Sequence, residues 1–139
     1  MILKAYTEAL GVAVGETVTS GYAVKIRGEW GVIRGTDGML NNTSSEQQNI
    51  VEADGTTRVL AVPFLSNDPD DPNRTKTVIS LYVFNADTIS HTIRIGVDNG
   101  SGLNTFRMFT VPVNGSVVFH DKSGWDLRDA DGHLLAYGA

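Results

Sequence analysis

Residues 77–97 read TVISLYVFNADTISHTIRIGV. Two runs rich in β-branched and aromatic residues, Lys76–Asn85 and His91–Val97, flank the polar pentapeptide Ala86–Ser90. That is the composition of two strands and the turn between them. Strand side chains alternate between two faces, and His91–Val97 follows the rule cleanly. Ile93, Ile95 and Val97 point one way, and Thr92, Arg94 and Gly96 the other. Little sustained 3.6-residue periodicity is found elsewhere in the chain, so an all-β protein is expected.

Downstream, Asn104–Val113 and Ser116–Asp121 flank Asn114-Gly115, the strongest short hairpin signal. A second hairpin, Trp125–Ala130 with His133–Tyr137, turns on Asp131-Gly132. Upstream, Arg58–Leu65 contains Pro63, which marks an edge or a strand end. The acidic segment Ser66–Thr75, SNDPDDPNRT, reads as a rigid loop. Three early strands are expected at Ala13–Thr19, Tyr22–Arg27 and Trp30–Arg34, the last two split by a turn at Gly28-Glu29. Gly35–Thr57 is polar and long for a loop, and Ser45-Glu46-Gln47-Gln48 has the capping-box pattern of a short helical turn. Seven to nine short strands with regularly spaced turns predict an antiparallel β-sandwich or jelly roll. A single domain is expected over residues 1–139, with 1–21 an N-terminal arm or an edge strand.

At 139 residues the chain can bury a hydrophobic core without metals or disulfides. Its net charge of −5, with eleven Lys and Arg none of which are adjacent, argues against a nucleic-acid partner. No apolar run reaches the length of a membrane span. The start, MILKAYTEALGVAVGETV, lacks the charged onset and continuous apolar centre of a signal peptide. An unprocessed protein made in the cytoplasm is the expectation. The absence of cysteine excludes disulfides, thiolate metal sites and a Cys nucleophile.

A search for chemistry yields no site. His91, His120 and His133 each begin or end an expected strand and share no metal-ligand spacing, so they read as surface or rim residues. There is no Gly-x-Ser-x-Gly elbow, and Asn99–Gly102 lacks the strand-to-helix context of a phosphate loop. Asp68, Asp70 and Asp71 offer the hard oxygens that Ca²⁺ takes, but Pro69 and Pro72 make that segment a stiff turn. The stretch Asp129–Gly132 matches part of an EF-hand loop, yet Leu127 and Gly138 stand where ligands are needed. No catalytic residue, cofactor or metal is expected, and the chain reads as a non-enzyme.

The strand faces point elsewhere. Sorted by alternation, Lys76–Asn85, Arg58–Leu65 and the Asn114-Gly115 hairpin are apolar on both sides. Only one face of a sandwich strand can meet its own core. The other is covered either by loops or the N-terminal segment of the same chain, or by another subunit. The candidate interface residues are Leu60, Val62, Phe64, Val78, Tyr82, Phe84, Phe109 and Val111.

Three segments carry a resemblance: LYVFNADTISHTIRIGV, FTVPVNGSVVF and GWDLRDADGHLL. Across about residues 77–135 their succession of strands and turns resembles small β-sandwich or jelly-roll structural proteins of tailed-phage virions. The resemblance implies a virion protein made in the host cytoplasm, most of all a capsid decoration (cement) or head-fibre-base protein. Such proteins bind the lattice of the major capsid (coat) protein and self-associate, often as trimers. Neck and tail components share the fold. A carbohydrate- or receptor-binding module is the alternative, and it requires exposed aromatics, for which Trp30, Tyr22 and Trp125 are the candidates.

Overall fold

A computed structural model describes residues 1–35, 47–55 and 57–138, with the backbone alone at 137 and 138. Eleven strands follow one another: β1 (Ile2–Lys4), β2 (Ala9–Val14), β3 (Val24–Ile33), β4 (Gln47–Ala53), β5 (Val59–Val62), β6 (Thr75–Asn85), β7 (His91–Asp98), β8 (Leu103–Val111), β9 (Ser116–His120), β10 (Gly124–Arg128) and β11 (Leu134–Gly138). They form two antiparallel sheets, a β-sandwich. The seven-stranded sheet runs β11-β10-β9-β6-β3-β4, with β1 on the first residues of β6, and the four-stranded sheet runs β5-β2-β7-β8.

Several local expectations are corrected. Gly28-Glu29 is not a turn, because β3 runs unbroken through it. A Cβ on Gly28 would lie 2.3 Å from the Ala61 carbonyl oxygen of the opposite sheet, so this glycine marks a close approach of two backbones. Of residues 1–21, β1 pairs on one side only, with β6, as an edge strand does, whereas β2 starts at Ala9 and sits inside the four-stranded sheet, between β5 and β7. Gln47 and Gln48 open β4 within the expected loop, while Ser45 and Glu46 lie outside the described residues.

The Asn114-Gly115 turn joins no hairpin. β8 pairs with β7 and β9 with β6 and β10, so the turn carries the chain from one sheet to the other. Asn114 does take the positive φ (57°) that makes Asn-Gly a turn signal. Local chemistry set the turn, and the partners of its flanking strands were set by packing. The Asp131-Gly132 hairpin forms as read, with β10 on β11 and Gly132 at φ 81°.

Four bulges explain why alternation alone mis-sorted the faces. Ala61 in β5, Ile79 in β6, Phe106 in β8 and Leu135 in β11 are each passed over by the ladder. One extra residue inverts the facing of everything beyond it. Val78 and Leu81 therefore both enter the core although their spacing is odd, whereas Tyr82 and Phe84 point outward. Leu60 and Val62 likewise fall on opposite faces.

The core is aliphatic with an aromatic end. Leu10, Val12, Ile26, Leu81, Val83, Ile93 and Ile95 fill the centre. Trp125 packs against Phe106, Phe109 and Phe119 between β8 and β10. One buried cation lies among the described residues: Lys76 is fully buried and its Nζ donates to the Glu8 and Pro63 carbonyls, at 2.6 Å each. Burial lowers the Lys76 pKa to about 8, against the opposing pull of the Glu8 carboxylate. Between pH 8 and 10.5 the unfolded chain holds this proton and the folded chain does not, so stability gains with rising pH. The neutral amine still offers two N–H groups to its two carbonyls. Urea unfolding of the wild type relative to Lys76→Met should show that gain between pH 8 and 10.5 and none between pH 6 and 7.5.

Candidate functional site

The eight candidate residues separate into three groups. Val62, Val78 and Val111 are wholly inside the sandwich and have no surface to offer, which corrects their place among interface residues. Phe109 is half-buried against Trp125 at the aromatic end of the core. Tyr82 and Phe84 lie on the outer face of the seven-stranded sheet, and Leu60 and Phe64 line a groove beside the four-stranded one.

The outer face of the large sheet is built from register. Ile50, Arg27, Tyr82, Val118 and Asp126 stand in one row across β4, β3, β6, β9 and β10. Glu52, Lys25, Phe84, Ser116 and Arg128 form the next. The Tyr82 and Phe84 rings are parallel, 6.4 Å apart. Ile50 is 68% exposed and Tyr82 36%. Charges divide this face, since β3 sets Lys25 and Arg27 between β4 and the Tyr82–Phe84 pair; Arg27 is bridged to Glu29 at 3.4 Å and Arg128 to Asp126 at 3.0 Å. A hollow of about 310 Å³ opens between Lys25, Arg27, Ile50 and Tyr82. Ile50 lies in the Gly35–Thr57 segment, which the sequence pattern reads as a loop, so alternation gives no hint of its place on this face.

The groove on the other side holds about 690 Å³, with Ala13 and Gly15 beside Arg58, Leu60, Phe64, Arg94, Asp98 and Leu103. Its polar feature is the buried Asp98, which accepts from Arg58 and from the Gly100 N–H. Burial pushes the Asp98 carboxyl up, but these two donors outweigh it and hold it below the usual range.

His91 is no rim residue. It is the first residue of β7, fully buried, and its Nε2 lies 2.7 Å from Asp87 Oδ2. Its Nδ1 is 3.4 Å from Glu16 Oε2. Asp87 also accepts from the Thr19 and Thr88 N–H groups. Burial alone would raise the Asp87 carboxyl. The Thr19 N–H, the His91 ring and the Thr88 N–H outweigh it and hold Asp87 well below the usual carboxylate range. Together with Asn85 these groups lock the crossing between β6 and β7.

The acidic loop uses its carboxylates internally. Asp68 accepts from the Asp70 N–H and lies 3.6 Å from Arg74, and Asp71 accepts from the Gly35 N–H. Among the described residues, Asp129, Asp131 and His133 are the group whose ligand atoms converge. Asp129 there accepts from the Asp131 and His133 N–H groups, the bonding of a turn. Of the aromatics that a sugar-binding face would need, Trp30 and Trp125 are core residues and Tyr22 is exposed.

The fold is an antiparallel β-sandwich, and the outer face of its larger sheet mixes Ile50, Tyr82, Phe84 and Val118 with charged side chains. Comparison with profiles of known families, with curated proteins and with solved structures finds no match to this chain.

Proposed function

We propose that this chain is a non-enzymatic structural protein of a phage virion, a capsid decoration or head-fibre-base protein that adheres to the major coat lattice and to its own copies. The observation that carries this reading is the outer face of the seven-stranded sheet. Its stacked Tyr82–Phe84 pair and Ile50 face outward among the charged side chains of β3 and β10. Aromatic centres with polar rims are the anatomy of protein interfaces. Repeated over a lattice, contacts of modest area add into tight attachment. The resemblance across residues 77–135 supplies the virion setting, and neck or tail positions fit the same surface.

The reading is tested by co-sedimentation of the purified chain with heads of the phage that encodes it, stripped of this protein. Saturable binding at a ratio fixed by the coat lattice is expected. Failure to pellet with heads at micromolar concentration would remove the decoration reading.

A further inference from the structure

The two sheets differ in width, and the difference falls at one end. β5 lies over β3 and β4, and β8 lies over β9 and β10, so β11 projects past the last strand of the smaller sheet. Its inner face is bare. Ala136 is the register partner of the buried Leu127, yet it is exposed. Leu135, pushed out of the ladder by the bulge, is 53% exposed, while Leu134, the partner of Arg128, lies on the outer face and is 47% exposed. Beside this overhang runs β8, which pairs only on its β7 side among the described residues. It is nine residues long, has no proline or lysine and one charge (Arg107), and exposes Phe106 and Met108. An edge so lightly guarded is a template for another strand.

We propose that the chain forms a two-fold dimer in which β11 of each copy fills the place beside β8 of the other. The step between the sheets is self-complementary, as an isologous contact requires. A two-fold axis between the layers and along the strands puts the partner's large sheet in line with this copy's small one. β8 then meets the partner's β11, β11 meets the partner's β8, and the two bare inner faces cover each other. Antiparallel β8–β8 pairing, about an axis normal to the sheets, is blocked, because it would drive both β10–β11 overhangs into one volume.

Strand direction agrees. The chain reverses between β8 and β9, β9 opposes β10 and β10 opposes β11. β8 and β11 therefore run oppositely, and an axis along the strands preserves this, giving an antiparallel pair over residues 107–111.

This deepens the self-association in the assembly reading, which it rests on only for its biological setting, and it is tested without any virion component. Sedimentation velocity of the full chain from 1 to about 100 μM should give twice 15.0 kDa. The chain has no cysteine, so Met108→Cys and Leu135→Cys can be mixed and treated with a short bismaleimide. Cross-linking between the two variants, well above either alone, is expected. A monomer throughout the range, a trimer, or equal cross-linking of Met108→Cys to itself would overturn the proposal. Loss of head binding with the dimer intact would instead count against the decoration reading alone.

Discussion

Asn85→Ala is expected to cost about 3–5 kcal/mol of stability. Asn85 is fully buried at the end of β6. Its Nδ2 donates to the carbonyls of Ile89, Val111 and Pro112, and its Oδ1 accepts from the Asp87 N–H. One amide thereby ties two of the sheet crossings, 86–90 and 112–115, to each other. Its backbone repeats the tie, since its N–H donates to Gly115 and its carbonyl accepts from Asn114. Alanine leaves several polar groups without partners, and each such loss costs about 1–3 kcal/mol. Asn85→Asp should be no better, because a carboxylate would face three carbonyl oxygens. Urea denaturation checks both; a loss below about 1 kcal/mol for Asn85→Ala would contradict the hub role.

Gly28→Ala should cost about 3 kcal/mol or more. A methyl there meets the Ala61 carbonyl oxygen at 2.3 Å and its carbon at 2.8 Å, and both belong to backbone that cannot swing aside. The sheets must separate or β5 must lose its bulge. Gly102→Ala is the control, since nothing lies within 4 Å of a Cβ at that position; it should change stability by less than about 0.5 kcal/mol. Thermal or urea midpoints of the two variants separate a packing clash from a general glycine effect.

The same two residues show how far the sequence could be read. Asn85 ended a recognisable strand and preceded a polar turn, so its position was legible, but its partners at Val111 and Pro112 are distant in the chain. Gly28 was read as a turn because a glycine beside a glutamate looks local, whereas its cause lies across the sandwich at Ala61. Strand composition and turn chemistry revealed the all-β fold and the Asp131-Gly132 hairpin. They could not reveal that Asn114-Gly115 changes sheets, which depends on which edges are already occupied. Bulges at Ala61 and Ile79 leave no clear mark in an apolar run, so Val62 and Val78 were grouped with surface residues. Tyr82 and Phe84 survived that error because they share one side of the Ile79 bulge. His91 was misplaced for a related reason: its burial depends on Asp87, four residues earlier in a turn that looked solvated.

Our central claim is that the chain works through the outer face of its seven-stranded sheet. The most direct measurement is the binding isotherm of Tyr82→Glu, against wild type, on stripped phage heads, with unfolding midpoints recorded in parallel. We predict at least about a tenfold loss of affinity with the midpoint lowered far less than by Asn85→Ala, because Tyr82 lies on the outer face of the sheet and not in the core. Wild-type binding by Tyr82→Glu would contradict the claim.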